Sequence, residues 1–375
     1  MAHAEGILIV GGGIAGLTVA AALHQHGFTP ELVEHSPAWH AIGAGIAVQP
    51  NGMRILRALG LGAAVEQAGT PIRSWDFCDQ HGAVLCALDL DALWGDVGPF
   101  IGIERTKLHQ VLRSGATSVP CRLGTSVAAL THAEDRVTVT FTDGSVGAYD
   151  LVVGADGIAS TVRALTFRAD PPVYAGQLAW RSLVPIRPRG LTTLQFLLGD
   201  GCFFGLCPIG EGRTYGFGNT TVPQTYDPLA GRLARLRARF APFGERIQEY
   251  LAALESDAQI HCSAIEWVAQ PAWYRGRVVL IGDAGHATSP MMGQGGCLAL
   301  EDAWVLAEEL RAAPSVETAL EAYVSRRQGR VGWVQHESRA VAESLRLPVA
   351  TRNAVLRARG AQLMQARFQP LVDVP

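Results

Sequence analysis

The sequence has few of the features that nucleic-acid-binding, metal-binding or membrane proteins require. Lys107 is its one lysine, and the net charge is −3 with a pI of about 6.4, so no strong field attracts nucleic acid or an anionic membrane. The seven cysteines form no C-x-x-C pair and no cluster with histidine at metal spacing, so no bound metal is expected. No apolar run reaches about twenty residues, which excludes a membrane-spanning helix.

The cysteine count and the amino terminus bear on the cellular compartment, and the chain length bears on the number of lobes. Seven cysteines is an odd number, and no basic stretch precedes the first apolar run, so free thiols in a reducing cytoplasm are expected. With 375 residues, 48% hydrophobic and 17% charged, the chain is long enough for two lobes. We expect a monomer or a homodimer. No Ser/His/Asp or Cys/His arrangement for nucleophilic catalysis stands out.

The first strong positive signal is a glycine-rich turn that directly follows the apolar run 7–10. Its pattern is G-x-G-x-x-G, and a helical pattern follows it. Such a turn places backbone N–H groups and a helix N-terminus beneath a pyrophosphate. A second apolar run ends in Glu34, where a carboxylate can accept hydrogen bonds from a ribose. A dinucleotide site is therefore predicted, and its turn residues are Gly11, Gly13, Ile14, Ala15 and Gly16.

Two later apolar runs also end in glycine and aspartate. The run 151–153 leads into Gly154-Ala155-Asp156-Gly157, where Asp156 could be an ordinary helix cap or part of a ligand site. The run 278–281 leads into Gly282-Asp283, and a short acidic side chain there can hold a sugar-alcohol hydroxyl. The turn through Gly293, Gly295 and Gly296 then delivers a helix N-terminus, which can stabilise negative charge on a reduced flavin ring.

The remaining patterns suggest a middle sheet and a helical tail. Strand-like segments rich in aromatic residues run from 174 to about 222, and helical spacing follows over 229–253 and 315–364. Asp143-Gly144 predicts a hairpin. Gly199-Asp200-Gly201 precedes a strand-like run rather than a helix, so it is interpreted as a hairpin turn and not as a second phosphate-binding loop.

Together these motifs resemble the single-component FAD-dependent aromatic hydroxylases, the family of para-hydroxybenzoate hydroxylase. The resemblance covers about residues 1–330 and is carried by the three glycine motifs in the family's order. Short members acting on salicylate, urate, hydroxynicotinate or alkylquinolones are more similar still. The stretches shared with them are Gly43-Ala44-Gly45-Ile46, Pro50-Asn51-Gly52, Arg105-x-x-Leu108, Ala179-Trp180-Arg181 and Glu301-Asp302-Ala303.

The resemblance implies an α/β fold: a Rossmann-like FAD-binding domain with an inserted β-sheet substrate domain and C-terminal helices. The expected boundaries are 1–170 and 273–330 for the two parts of the FAD-binding domain, 171–272 for the substrate sheet and 331–375 for the tail. Asp156 and its flanking glycines would serve both FAD and a nicotinamide cofactor. The residues implied to bind FAD are Gly11, Gly13, Ile14, Ala15, Gly16, Glu34, Arg105, Asp156, Gly157, Gly282, Asp283, Gly293, Gly295 and Gly296.

The resemblance also implies a reaction. NADH or NADPH reduces bound FAD, dioxygen gives a flavin C4a-hydroperoxide, and its outer oxygen attacks a small, electron-rich aromatic substrate. The protein excludes water and holds the reacting groups. Alternatives left open are an FAD-dependent oxidoreductase or dehydrogenase without oxygen insertion, an epoxidase or Baeyer-Villiger enzyme, and a catalytically silent FAD-binding partner protein.

The substrate pocket is expected between the middle sheet and the flavin, although each candidate side chain could equally belong to the core. Tyr215 and His286 are the candidate catalytic groups, and His286 is equally suited to a structural hydrogen bond. Similarity to urate hydroxylases implies that Phe203 replaces a substrate-binding arginine, which favours a neutral, apolar aromatic such as a quinolone or a phenol. The candidate pocket residues are Trp180, Phe196, Phe203, Phe204, Tyr215, Phe217, Pro290, Met291 and Met292.

Overall fold

The computed structural model describes residues 5–39, 44–167 and 170–375, so Gly43 of the shared stretch lies outside the described residues. The strands, in chain order, are β1 (Ile7–Val10), β2 (Glu31–Glu34), β3 (Gly45–Val48), β4 (Thr70–Ile72), β5 (Ser74–Asp79), β6 (Val84–Asp89), β7 (Phe100–Glu104), β8 (Cys121–Leu123), β9 (Val127–His132), β10 (Val137–Phe141), β11 (Val146–Tyr149), β12 (Leu151–Gly154), β13 (Val173–Val184), β14 (Leu194–Leu198), β15 (Cys202–Pro208), β16 (Thr214–Thr221), β17 (His261–Trp267), β18 (Tyr274–Arg275) and β19 (Val278–Leu280).

The α-helices of the same ranges connect and cover these strands. They are α1 (Ile14–Gln25), α2 (Pro50–Ala58), α3 (Gly62–Ala68), α4 (Leu90–Trp94), α5 (Arg105–Gly115), α6 (Thr161–Phe167), α7 (Arg232–Phe240), α8 (Glu245–Ala252), α9 (Asp283–His286), α10 (Gly295–Ala312), α11 (Val316–Ser344) and α12 (Val349–Phe368). Within the described ranges, none of these helices combines the length and apolarity that crossing a membrane requires.

A six-stranded sheet with the order β18-β19-β12-β1-β2-β8 forms the nucleotide half of the fold. Its strands β8, β2, β1, β12 and β19 are parallel, with β1 between β12 and β2, and β18 joins as an antiparallel edge. All four residues of β1 and of β12 are buried, because α-helices and a second layer cover both faces. The carboxyl ends of β1, β12 and β19 are neighbours, so the three glycine motifs that follow them lie at one edge of the sheet.

A seven-stranded sheet with the order β17-β13-β16-β15-β14-β5-β6 forms the second half. Most of its pairs are antiparallel, and β14 and β5 are parallel. The predicted hairpin at Gly199-Asp200-Gly201 is confirmed, since β14 and β15 pair on either side of it. The sheet also takes in β5 and β6, which come from residues 74–89 and so lie outside the 171–272 segment assigned to it from the sequence.

Two smaller sheets and the last helices complete the fold. Strands β11-β10-β9 form one small sheet, whose β10–β11 hairpin confirms the Asp143-Gly144 prediction, and β3-β7-β4 form the other. Helix α10 packs along α1 and is followed by α11, in agreement with the predicted helical tail, and α12 packs on β6. The strand β17 follows α8 and pairs with β13.

Candidate active site

The glycine turn after β1 is shaped by close backbone contacts. Gly11 has φ +107°, and a Cβ there would lie 2.5 Å from the carbonyl oxygen of Ala155. A Cβ on Gly16 would lie 1.8 Å from the carbonyl oxygen of Gly11, so only glycine lets α1 approach the strand this closely. A Cβ on Gly13 would meet nothing within 4 Å. The open side of this turn is therefore the side on which a phosphate can approach.

The Glu34 carboxylate stands beside the same turn. It accepts hydrogen bonds from the backbone N–H of Gly12 at 2.7 Å and of Ser36 at 2.9 Å. Partial burial acts in the opposite direction, but these hydrogen bonds hold the pKa of Glu34 below its ordinary value. Glu34 is thus an ionised acceptor fixed at the end of β2.

The Asp156 side chain is a helix cap. Its carboxylate accepts hydrogen bonds from the hydroxyl of Ser160 and from the backbone N–H groups of Thr161 at 2.7 Å and Val162 at 3.1 Å. Burial raises the pKa of Asp156, and these hydrogen bonds oppose that rise. These bonds make the carboxylate a cap of α6, and the expectation that Asp156 and its flanking glycines contact FAD and a nicotinamide cofactor stays a prediction. Gly157, beside it, has open space around its Cα.

The turn after β19 meets the first glycine turn. A Cβ on Gly282 would lie 3.1 Å from the Cβ of Ala15, and one on Gly296 would lie 3.7 Å from the Cδ1 of Ile14. Asp283 is accessible to solvent, but the protein around its carboxyl partly desolvates it and so raises its pKa, while His286 and Arg105 oppose the rise. The first and third motifs therefore form one continuous surface.

Arg105 begins α5 and lies near Asp283, on whose carboxyl its charge acts. Its backbone N–H donates to the carbonyl oxygen of Ala44 at 2.8 Å, which connects the start of α5 to the residue that precedes β3. Its side chain is exposed, and its charge acts on both the Asp283 carboxyl and the Tyr215 hydroxyl. Arg105 is thus a cation positioned between the nucleotide edge and the second sheet.

His286 is a structural residue, which corrects its selection as a catalytic candidate. It is 3% exposed, and its Nε2 lies 2.5 Å from a carboxylate oxygen of Asp302 on α10. Arg327 of α11 donates to the other oxygen of Asp302 at 2.8 Å. Burial raises the pKa of Asp302, but His286 and Arg327 outweigh it and lower that pKa to about 2. The imidazole is therefore fixed in a buried network with Asp302 and Arg327.

A second part of this network holds the turn that precedes α10. The Gln49 amide donates to the carbonyl oxygen of Met292 at 2.7 Å, and the Gln294 amide donates to Gln49 Oε1 at 2.7 Å. Asn51 donates to Gln294 and to Glu301, both at 2.9 Å. Reasoning from the sequence did not identify this network, although the Pro50-Asn51-Gly52 and Glu301-Asp302 stretches contain several of its members.

The aromatic candidates fall on two faces of the seven-stranded sheet, since successive strand residues point in opposite directions. Four of them share the face that contains a packed row of rings. Tyr215 and Phe217 have ring centroids 5.0 Å apart, Phe217 and Phe196 5.2 Å, and Phe196 and Phe203 5.0 Å. We call this set, Tyr215, Phe217, Phe196 and Phe203, the aromatic row.

Trp180 and Phe204 lie on the opposite face, which corrects their assignment to the pocket. They pack in a separate core under α7 and α8, where Phe240 lies 4.9 Å from Phe204 and 6.3 Å from Trp180, measured between ring centroids. The indole N–H of Trp180 donates to Asp227 at 2.6 Å. Both residues stabilise the sheet from behind.

Tyr215 is the polar member of the aromatic row. Its ring packs against the backbone of Gly45, where a Cβ would lie 2.3 Å from the tyrosine Cγ. Burial raises the pKa of the Tyr215 hydroxyl, and the charges of Arg181 and Arg105 oppose part of that rise. At neutral pH the group is therefore an uncharged hydroxyl, able to donate and to accept a hydrogen bond.

The far end of the aromatic row opens into a cavity of about 180 Å³. Phe196 and Phe203 line it from the sheet, and Met291 and Met292 line it from the turn before α10, while Pro290 is exposed at that turn. The remaining wall comes from α11, α12 and the connection between them. The sequence interpretation predicted the tail helices without assigning them to this wall. The wall residues are Val341, Ser344, Leu345, Leu347, Arg352, Val355, Leu356, Leu363, Met364, Arg367 and Phe368.

Comparison with known proteins agrees with this geometry. Residues 5–177 and 243–338 match the family described as the FAD binding domain. The chain is 35% identical to the aurachin C monooxygenase/isomerase of Stigmatella aurantiaca, over 84% of this chain and 83% of that protein. It is 30% identical to the 2-heptyl-3-hydroxy-4(1H)-quinolone synthase of Pseudomonas aeruginosa, over 88% and 87% of the two chains. The chain belongs to the FAD-dependent aromatic hydroxylases.

A solved structure of this hydroxylase family has nearly the same fold. Klebsiella pneumoniae HpxO, complexed with FAD and uric acid, superposes with a TM-score of 0.90 at 29% identity, covering 99% of this chain and 97% of that one. The protein is thus an FAD-dependent monooxygenase, and FAD is its cofactor.

Proposed function

We propose that this enzyme uses NADH or NADPH and dioxygen to hydroxylate a small, neutral aromatic or heteroaromatic molecule. The observation that carries the proposal is the juxtaposition of the nucleotide edge with the aromatic row, since Tyr215 packs against Gly45 of β3 and the next residue, Ile46, packs against Gly296 of the turn into α10. Bound FAD supplies electron transfer to dioxygen and delivery of one oxygen atom. The protein holds the substrate ring at that flavin and keeps water away.

The residues at the nucleotide edge fit FAD. The open side of Gly13 and the N-terminus of α1 suit a pyrophosphate, and the Glu34 carboxylate suits a ribose. Asp283 and Arg105 are assigned to the ribityl and phosphate portions. The N-terminus of α10, reached through Gly293, Gly295 and Gly296, is positioned to stabilise negative charge on a reduced isoalloxazine ring. These assignments place the first and third glycine motifs along a single elongated ligand.

Tyr215 is proposed as the residue that binds the polar group of the substrate. Its raised pKa keeps it protonated at neutral pH, so it donates a hydrogen bond to a phenolate or carbonyl oxygen and accepts one from a phenol. The reaction needs the ring to become electron-rich, and stabilising the deprotonated phenol in this way promotes that change. Phe217 and Phe203 hold the ring plane by apolar contact.

A neutral substrate is favoured over a carboxylate because the aromatic row itself contains no charged side chain, and burying a carboxylate against it is costly. At the cavity, Arg367 is paired with Glu337 at 2.8 Å. Arg352 donates to neutral groups, among them the carbonyl oxygens of Gly199 at 2.6 Å and Leu198 at 3.2 Å, so it is the cation of the cavity lining that a carboxylate could pair with. The same reasoning supports the interpretation that Phe203 stands at the position where an anionic substrate would need a substrate-binding arginine.

The test begins with purified, FAD-bound protein. NADPH and then NADH are added with and without phenols, salicylates and 4-quinolones, and bleaching of the flavin is followed together with product mass. A hydroxylase bleaches faster with its substrate and adds one oxygen atom to it. An oxidoreductase of the kind that inserts no oxygen bleaches without that gain in mass, and a silent FAD-binding protein stays yellow. Rapid turnover of salicylate would contradict the neutral-substrate part of the proposal.

A further inference from the structure

A second cleft lies between the seven-stranded sheet and α11. Its volume is about 590 Å³, and small-molecule sites commonly occupy roughly 300–1,000 Å³. Its walls are the start of β13, the ends of β16 and β17, the last turns of α11 with the residues that follow them, and Ser289. We call it the α11 cleft. None of its lining residues belongs to the aromatic row or is assigned to FAD.

Two arginines of the α11 cleft are cations without a strong carboxylate partner. Arg339 has no carboxylate partner among the described residues, and its guanidinium lies over the Trp267 ring, 4.8 Å from the ring centroid. Arg346 Nη1 lies 3.6 Å from Glu343 Oε2, and both of these side chains are more than half exposed. An exposed ion pair of this length is weak. An anionic ligand can therefore bind to both guanidinium groups.

The backbone of β13 positions one of these cations. The register of β13 against β17 shifts between Tyr174 and Leu178, which is a β-bulge, and Gly176 within the bulge has φ +75°. A Cβ on Gly176 would lie 3.0 Å from Arg346 Nη2, so glycine at this position lets the guanidinium lie against the strand. Bulges are over-represented beside active sites, where they change the direction of a strand.

Ser289 gives a second, independent indication of a ligand. It lines the cleft, is 3% exposed, and its hydroxyl has no hydrogen-bond partner in the part of the chain that the structure describes. The hydroxyl of Thr221, at the end of β16, lines the same cleft and is also buried and unpaired there. Because buried hydroxyls normally have a partner, we expect a ligand with hydrogen-bonding oxygen or nitrogen atoms at this place.

The cleft adjoins the loop that leads to the flavin turn. Ser289 stands four residues before Gly293. The side-chain amide of Gln335, on α11, donates to the carbonyl oxygen of Ala287 at 3.3 Å, and the backbone N–H of Val268, directly after β17, donates to the same oxygen at 2.9 Å. Two walls of the cleft are therefore fixed to the segment that enters the turn assigned to the reduced flavin ring.

The proposed reaction needs a ligand with these properties near this turn. NADH and NADPH carry a diphosphate, aromatic rings and several hydroxyl groups. Reduction transfers one hydride from the dihydronicotinamide to oxidised FAD and leaves NAD⁺ or NADP⁺, so the dinucleotide must bind within reach of the flavin. The glycine turn after β1 is assigned to FAD, and the sequence contains no second G-x-G-x-x-G turn. A dinucleotide must therefore bind to another kind of surface.

We propose that the α11 cleft binds the nicotinamide dinucleotide, with its diphosphate between Arg339 and Arg346 and an aromatic ring against Trp267. The Ser289 hydroxyl bonds to a polar group at the buried end of the cleft. This proposal rests on the proposed hydroxylase function and gives the binding site of its reductant. Guanidinium groups suit this role because they form charge-assisted hydrogen bonds with phosphate oxygens.

The test compares Arg339→Gln, Arg346→Gln and the double variant with wild type, all with FAD bound. Anaerobic stopped-flow spectroscopy measures flavin reduction over a range of NADPH and NADH concentrations, which gives the Kd of each dinucleotide and the limiting rate. Each change removes a charged hydrogen-bond donor, so the Kd of the preferred dinucleotide should rise at least about tenfold in each single variant. The limiting rate should stay nearly unchanged, because neither arginine takes part in hydride transfer.

A binding measurement without reduction checks the same site. Isothermal titration calorimetry with NADP⁺, NAD⁺ and ADP-ribose, none of which can reduce FAD, should show the same order of affinities among the variants. Ser289→Ala should weaken dinucleotide binding without lowering the melting temperature, because it removes a buried hydroxyl that has no partner in the protein. A lower melting temperature in Ser289→Ala would show that the hydroxyl stabilises the fold instead.

Arg357→Gln is the matched control. Arg357 is an exposed arginine of α12 outside the cleft, so this variant should bind dinucleotides as wild type does. Dithionite, which needs no dinucleotide site, should reduce the flavin of every variant equally. Wild-type dissociation constants in the double variant would overturn the proposal, and so would an equal loss of affinity in Arg357→Gln. Arginine-dependent binding of inorganic phosphate without binding of any dinucleotide or ADP-ribose would also overturn it.

Failure of this site and failure of the proposed function give different results. If both arginine variants keep the wild-type Kd and an aromatic compound still gains an oxygen atom, hydroxylation stands and the dinucleotide binds elsewhere. If the Kd depends on both arginines but no aromatic compound gains oxygen, the dinucleotide site stands and hydroxylation is wrong.

Discussion

The Gln49 side-chain amide donates to the carbonyl oxygen of Met292 at 2.7 Å, across a sequence separation of 243 residues. This hydrogen bond connects the start of α2 to the turn that delivers the N-terminus of α10. Because Met291 and Met292 of that turn line the cavity and the turn leads into α10, we expect Gln49 to fix the position of the α10 N-terminus. Gln294, Asn51 and Glu301 extend the same connection into the buried ion pairs.

Replacing Gln49 by leucine should loosen this turn. The change removes the donor to the Met292 carbonyl and one of the two acceptors of the Gln294 amide, whose other acceptor is Asn51 at 3.3 Å, and a buried polar group left unpaired costs about 1–3 kcal/mol. We expect a lower melting temperature and weaker FAD binding, measured by thermal unfolding and by fluorescence titration of the apoprotein. Gln49→Glu puts a buried carboxylate oxygen against the Met292 carbonyl oxygen and should lose at least as much FAD affinity as Gln49→Leu. Unchanged FAD affinity in Gln49→Leu would show that the turn is held by other contacts.

The open side of Gly13 gives a direct test of the nucleotide site. Gly13→Ala adds a methyl group that meets no protein atom within 4 Å, so the apoprotein should fold as wild type does. The same methyl group lies where the pyrophosphate must approach, and we expect FAD affinity to fall at least about tenfold, which corresponds to about 1.4 kcal/mol. Gly329→Ala, on α11 and also in open space, is the matched control. Equal FAD affinity in the two variants would show that FAD does not bind beside Gly13.

The Asp302 ion pairs predict a pH dependence of stability. The folded-state pKa of Asp302 is about 2, below its ordinary 3.8, so its ionisation stabilises the fold above about pH 4 and that contribution is lost as pH falls through about 2. Asp302→Asn leaves His286 and Arg327 without their carboxylate and should destabilise the fold by about 3–5 kcal/mol near neutral pH. Urea unfolding of both proteins from pH 7 downward measures this.

The outcome is read from the difference between wild type and Asp302→Asn. That difference should be constant above about pH 5 and should shrink in the acid range. A difference that grows as pH falls would have the wrong sign for a carboxylate of depressed pKa. If activity of Asp302→Asn at a temperature where it is folded still matches wild type, the network is structural, as its burial indicates.

Tyr215→Phe separates binding from chemistry. The ring and its packing against Gly45 are kept, so stability and FAD binding should change little. Loss of the hydroxyl should lower kcat at least about tenfold with a phenolic or quinolone substrate, the lower end of what a lost proton-handling group costs. Because burial raises the pKa of Tyr215 above its ordinary value, the wild-type pH profile should show no inflection from this residue below about pH 10. If Tyr215→Phe has the kcat of the wild type, the Tyr215 hydroxyl has no role in the reaction.

The sequence predicted the nucleotide half well because its signals are local. Each of β1, β12 and β19 is a short apolar run followed by a turn that contains glycine. Parallel strands place their carboxyl ends at one edge of the sheet. The carboxylate of Asp156 was ambiguous between a cap and a ligand, and only the positions of Ser160 and Thr161 decide that it is a cap.

The substrate half was harder to predict because it depends on register and on distant partners. Phe203 and Phe204 are adjacent on β15, so they must point to opposite faces, and that rule alone could have divided the aromatic candidates. The sequence does not show that the His286 imidazole is hydrogen-bonded. In the structure its partner is the carboxylate of Asp302, sixteen residues later. The contribution of α12 to the cavity depends on contacts between segments far apart in the chain, and periodicity does not reveal such contacts.

Oxygen incorporation tests the central claim most directly. The FAD-bound enzyme is reduced by NADPH without air, mixed with the aromatic compound that most accelerates flavin bleaching and exposed to dioxygen labelled with ¹⁸O, and the product is analysed by mass spectrometry. The account predicts one labelled oxygen atom in each product molecule and one NADPH consumed for each. Reoxidation of the flavin with that compound recovered unlabelled and unchanged would contradict it.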